Sequence, residues 1–190
     1  AWVLNALANS VSLVDLSDRN NPSTVMTTPL QDPTEPDVKL GRMAFYDANA
    51  SSTGTFSCAS CHPDGHNDQL IWILDTPICD QGCDQIQPRL AQDIRGLRGS
   101  APYHWDGIPG DPFGGVNTAS LTWLPPNCNK DVPESCTLHL VDGALGSTMC
   151  DQANCGNNDD GKPGLLSGAE RDAMARYLLG DSVFQVEEAT

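Results

Sequence analysis

Cys58-Ala59-Ser60-Cys61-His62 has the form C-x-x-C-H. Two intervening residues match the separation of the two vinyl groups of a haem, and the histidine that follows directly brings an imidazole under the iron. The spacing therefore predicts one covalently attached haem c, with Cys58 and Cys61 forming the thioethers and His62 an axial ligand. The competing readings of a C-x-x-C pair are a thioredoxin-like redox centre or half of a zinc site. Neither has its usual context here, because no βαβ pattern surrounds the motif and no second ligand pair follows it.

The composition around this motif narrows the class. The chain has 190 residues, 39% hydrophobic but only 6% aromatic, with 17 glycines and 14 prolines. That predicts one domain rich in loops, in which a large cofactor supplements the apolar core. Acidic residues outnumber basic ones by 25 to 10, for a net charge of −15. Nucleic acid is disfavoured as a partner on that balance; the acidic surface suits a redox partner protein of basic character, or equally serves to keep a soluble extracytoplasmic protein apart from its copies. Of the 8 cysteines, six remain after the haem motif. Their even number points to disulfides, and so to a periplasmic or extracellular location. Their grouping favours Cys79–Cys83, Cys128–Cys136 and Cys150–Cys155. No apolar run is long enough for a transmembrane segment, and Ala1 begins without a signal peptide, as in a processed or excised chain.

Along the chain, residues 1–16 read as a propeller-like β-hairpin turning at Asn9-Ser10, whose exposed edges suit self-assembly or incorporation in a larger complex. Residues 17–36 hold Pro22, Pro29, Pro33 and Pro36 and read as an extended linker. A monohaem domain then spans 37–190. Asp37 is expected to cap a helix whose buried face carries Leu40, Met43 and Ala44. Ser167 and Glu170 form a capping box for a second helix that Gly180 ends. A shorter helix is expected around Pro88–Ile94, and loops over 108–165. Residues 151–161 have the composition of a calcium loop but lack carboxylates at its first and twelfth positions, so they read as a polar turn.

For the second iron ligand, His66 stands too close to His62 to reach the opposite face of a haem. Met43 and Met174 fall on helix faces and Met26 in the linker. His104, in Ala-Pro-Tyr-His-Trp-Asp-Gly, is favoured, with Met149 and His139 left open. Arg89, Arg95 and Arg98 cluster in an otherwise acidic chain, and Arg98 is the first choice for binding haem propionates. Trp105 and Tyr103 are expected to wall the pocket.

Two longer stretches, KLGRMAFYDANASSTGTFSCASCHPDG (39–65) and QPRLAQDIRGLRGSAPYHWDG (87–107), resemble the di-haem cytochrome c peroxidase family. They are also similar to cytochrome domains fused to YVTN β-propellers, whose blade ends the first 16 residues resemble. The resemblance implies a mainly α architecture: a cytochrome c fold with long disulfide-tied loops, preceded by a short β-hairpin. It also implies that the first and last helices cross closely, with Gly41 and Phe45 meeting Met174, Tyr177 or Leu178. This chain departs from the peroxidase pattern in having a single C-x-x-C-H. Electron transfer is therefore expected rather than enzyme catalysis. The alternatives are a peroxidase-like haem enzyme and a haem-bearing structural module of a larger complex or filament.

Overall fold

The computed structural model describes residues 1–77, 84–116, 122–151, 153 and 155–180. Its first element is a three-stranded antiparallel sheet of β1 (Trp2–Asn5), β2 (Ser10–Asp15) and β3 (Ser23–Pro29), in that order. The hairpin expected over 1–16 is present as β1 and β2, with Trp2 opposite Leu13. The third strand lies within the stretch expected to be an extended linker. It pairs with β2 from Ser10 opposite Pro29 to Asp15 opposite Ser23. The β-branched Thr and Val side chains of residues 23–28 suit a strand once a neighbour supplies its hydrogen bonds, which the prolines at its ends conceal.

The helical part begins with α1 (Pro36–Tyr46), α2 (Cys58–Cys61), α3 (Pro133–Gly146) and α4 (Gly168–Leu179). Helix α1 starts one residue before the expected cap. Pro36 occupies the first turn, where its missing N–H costs nothing and its φ is already helical. Asp37 lies inside that turn and pairs with Arg176 of α4. The buried face of α1 is Gly41, Ala44 and Phe45, whereas Met43 is exposed. Helix α4 opens as expected: the Glu170 N–H donates to Ser167 Oγ and the Ser167 N–H to Glu170 Oε2 at 2.8 Å.

Helices α1 and α4 cross at Gly41. A Cβ there would overlap the Ala173 carbonyl and stand 2.8 Å from Tyr177 Cβ. Phe45 meets Tyr177 with ring centroids 5.6 Å apart. Met174, Tyr177, Leu178 and Phe45 are buried in one core with Leu145 and Val141 of α3.

The mainly α expectation is overturned. Among the described residues, four α-helices and two short 3₁₀ turns share the chain with five strands in two sheets. The second sheet is the antiparallel ribbon of β4 (Ile71–Pro77) and β5 (Asp84–Leu90). It replaces the helix expected around Pro88–Ile94. Pro88 pairs opposite Ile73, and both strands of a two-stranded ribbon are edges, where a proline is tolerated.

Helix α3 occupies part of the stretch expected to be loop. Its inner stripe is Thr137, Val141 and Leu145, and the polar first member weakens the hydrophobic periodicity. Thr137 satisfies its hydroxyl within the helix by donating to Pro133 O at 3.2 Å. The disulfides Cys128–Cys136 and Cys150–Cys155 clamp the two ends of this region. Cys79 and Cys83 lie outside the described residues. Residues 155–168 turn on Asn158, whose Oδ1 accepts the N–H groups of Asp160 and Lys162. Arg171, almost fully buried, ties this turn to α3 by donating to Asp142 Oδ1, Leu166 O and Pro163 O at 3.0, 2.9 and 2.7 Å.

Candidate functional site

Helix α2 is a single turn, and its shortness serves its side chains. Cys58 and Cys61 are three residues apart and Cys58 and His62 four, the two spacings that share one helix face. The turn is closed by the His62 N–H donating to Cys58 O at 3.0 Å. Its start is held by Ser60 Oγ, which accepts the Ser57 N–H at 3.0 Å. Seven residues before Cys58, the buried hydroxyl of Ser51 accepts the N–H of Thr55 and donates to Ala48 O. Downstream, Arg95 donates twice to Asp64 O, at 2.8 and 3.0 Å, and Tyr46 donates to Asp64 Oδ1 at 2.9 Å. The motif is thus fixed on both sides by backbone-directed bonds.

The motif opens on a cavity of about 540 Å³ lined by Cys58, Cys61, His62, Phe45, Met174 and the inner face of α3. That volume lies within the ~300–1,000 Å³ of small-molecule and cofactor sites, which are apolar with few polar groups. Both cysteines of the motif are free thiols. Burial pushes the Cys58 thiol up to about 12 and raises Cys61 as well, with Asp68 adding to the second effect. Burial lowers the His62 pKa, while backbone groups of Gln92 and His66 oppose it. His62 is therefore neutral at pH 7 and keeps a nitrogen lone pair. Its Nδ1 is buried and has no hydrogen-bond partner among the described residues. An orphaned imidazole nitrogen and two free thiols on an apolar cavity fit a haem attached through them.

The remaining candidates divide. His104, Trp105, Tyr103 and Met149 line the same cavity. His104 is near enough to His62 to act electrostatically on that imidazole. It is exposed and held at φ 68°, a left-handed backbone that is uncommon outside glycine and concentrates at functional sites. Met149 is buried at the end of α3. His139 faces elsewhere: its Nδ1 accepts the Gly110 N–H at 3.1 Å. His66 is a loop residue paired with Asp93 at 3.5 Å. Arg98, the first choice for propionates, reaches Leu179 O at the end of α4. The arginine that lines the cavity is Arg89 on β5, stacked over the Trp105 ring with its guanidinium carbon 4.0 Å from the centroid. The signal for Arg89 was the cross-strand pairing of Trp72 with Arg89, which needs the ribbon to be known.

Residues 35–111 match the family model of the di-haem cytochrome c peroxidases. The match takes in α1, α2, the ribbon, His104 and Trp105, and stops before α3 and α4. The peroxidase resemblance of residues 39–65 and 87–107 is thereby borne out for that stretch. A solved structure of Kuenenia stuttgartiensis hydrazine synthase, pressurised with 20 bar xenon, is 24% identical over 79% of this chain, with a TM-score of 0.40. This chain spans 38% of the length of that one. No curated protein matches the chain. Among the described residues, no helix is long and apolar enough to cross a membrane.

Proposed function

We propose that this chain carries one haem c and transfers single electrons between partner proteins outside the cytoplasm, residues 37–190 forming the haem-bearing part. Cys58 and Cys61 are the attachment residues: each S–H adds across a vinyl double bond, sulfur to one carbon and hydrogen to the other, consuming no oxidant. His62 and His104 are the axial ligands. A haem held there supplies a ferric/ferrous couple. The chain's own contribution is to keep His62 neutral, to exclude water with the apolar faces of α1, α3 and α4, and to fill the second axial position with His104.

The observation that carries this reading is that two free thiols and the His62 imidazole, whose Nδ1 has no hydrogen-bond partner among the described residues, open together on one apolar cavity, which His104 also lines. The two disulfides and the charge of −15 support an oxidising compartment and a basic redox partner. Acid-acetone extraction tests the attachment: the haem should stay with the polypeptide, and its complete removal refutes the reading.

The family match and the exposed position of His104 favour a second reading, a peroxidase-like enzyme in which the iron opens to peroxide. Against it, the chain has a single C-x-x-C-H where the matched family is named for two haems. The ferric spectrum separates the readings. Two histidine ligands give low-spin iron, no carbon monoxide binding and no peroxide turnover. A weak far-red band transfers the second ligand to Met149, and rapid peroxide turnover by five-coordinate iron establishes the enzyme.

A further inference from the structure

Three arginines stand close in sequence, and the fold gives them different work. Arg95 donates to Asp64 O and Arg98 to Leu179 O, so both reach backbone of the helical part. Arg89 is on the ribbon, directly opposite Trp72 in the β4–β5 register, and lines the cavity. Its Nη1 donates to Pro88 O at 3.0 Å. Its Nε is buried and has no hydrogen-bond partner among the described residues.

The stacking on Trp105 explains what that nitrogen is for. A guanidinium lying flat over an indole face is held by cation–π attraction, while its N–H groups stay in the ring plane and point outward from the edge. One edge is used by Pro88 O. The edge that carries Nε remains, and this is the edge that meets a carboxylate with two parallel hydrogen bonds. A buried guanidinium nitrogen left unpaired forfeits its hydration without replacement, so a partner of opposite charge is expected. Trp72 does not compete, because its indole N–H donates to Asp68 Oδ2 at 2.8 Å. Asp93 also lines the cavity, but it faces His66 and Asn67.

We propose that Arg89, clamped on Trp105, binds a propionate of the haem and so fixes how the haem sits at the ribbon side of the cavity. The proposal rests on the haem reading above and gives Arg89 the part expected of Arg98. Arg89 is a positioning residue, acting through the propionate on the iron. Its positive charge near the haem disfavours the ferric form, which carries one more positive charge than the ferrous form.

The test uses the purified haem-carrying protein with R89Q, R89K and R98Q, reading covalent haem content, midpoint potential and the propionate bending band in resonance Raman spectra. R89Q should lower the midpoint potential and shift the band. R89K, which keeps the charge but loses the fork, should restore most of the potential while still shifting the band. R98Q should leave both at wild-type values. An unchanged potential and band in both Arg89 variants, with haem content retained, overturns the proposal, as do equal effects of R89Q and R89K. Should R89Q fail to fold, the band in R89K alone decides. A wild type without covalent haem removes the haem reading and this proposal together; a haem-bearing wild type with unmoved Arg89 variants removes only the proposal.

Discussion

The N-terminal sheet and the helical part of this chain are stabilised by opposite means. In the helical part the inner side chains are apolar, Phe45, Leu145, Met174 and Leu178 among them, and they surround a cavity. In the sheet the inner side chains are Ser10 and Ser12, while Trp2, Leu4, Val25 and Met26 face solvent. The sheet joins α1 through polar contacts: Lys39 to Ala8 O at 3.0 Å, Arg42 to Leu7 O at 3.1 Å, and Asp32 beside both cations. One part is organised around something to be enclosed, and the other around hydrogen bonds between its own strands. Changes to the site should therefore be felt by the helices and hardly by the sheet.

The largest effect is expected from the Cys58→Ala, Cys61→Ala double variant. Without attachment a cavity of about 540 Å³ loses its occupant, and an empty apolar space of that size is too large for neighbouring side chains to close. Haem staining of the denatured chain should be lost, and thermal unfolding by circular dichroism should move to a markedly lower midpoint. A variant that melts like the wild type would mean that the helical part is complete without the haem.

Alkaline pH gives the next effect, and it distinguishes the free thiols from the thioethers. The Cys58 thiol is raised from 9.0 to about 12 in the folded chain. The folded state thus favours the protonated thiol, a contribution fully present below pH 9 and lost as pH rises from 9 toward 12, on the order of 4 kcal/mol in all. The haem-free chain should lose stability to urea over that window, and the haem-carrying chain, whose sulfurs no longer titrate, should be spared this loss. Equal loss in both forms would count against thioether attachment.

Gly41→Ala tests the helix crossing. The added Cβ meets the Ala173 carbonyl and Tyr177 Cβ, backbone and a Cβ fixed to it rather than a movable side-chain end, so α1 must shift from α4. The expected cost is about 1–3 kcal/mol, read as a lower urea midpoint with an unchanged slope.

How much of this was legible in the sequence follows from how local each signal is. The capping box of Ser167 and Glu170 and the close pairs Cys128–Cys136 and Cys150–Cys155 are short-range features, and each is found as expected; the crossing at Gly41 joins distant parts of the chain and was legible only through the family resemblance. Elements that depend on a distant neighbour were missed. Strand β3 needs β2, and β5 needs β4, so prolines at their ends read as linker and helix start. Helix α3 hides because Thr137 interrupts its apolar stripe. Met43 has the right spacing for burial, but Gly41, not a large side chain, sets the face that α4 approaches. The cavity's members were nameable singly, His104 and Trp105 among them; that Arg89 rather than Arg98 lines it depends on the ribbon's register.

The smallest effect sharpens the comparison most. The Asn5 side-chain amide donates to Ser10 Oγ at 3.0 Å and Ser12 Oγ at 2.9 Å, and Ser12 Oγ shares a hydrogen bond with Thr27 Oγ1 at 2.8 Å. Asn5 therefore links β1 to β2, and through Ser12 to β3, across the sheet's inner face. Asn5→Ala removes both donors and leaves two nearly buried hydroxyls short of a partner, a cost of roughly 1–2 kcal/mol. That cost should appear as faster amide exchange in β1 and β2, where opening is local. The haem spectrum and midpoint potential should not move, because the described contacts between sheet and helices run through Leu7, Ala8 and Asp32 and none reaches the cavity. A shifted potential in Asn5→Ala would mean that α1 relays the sheet's state to the site through Lys39 and Arg42, and the two parts would then have to be treated as one cooperative unit.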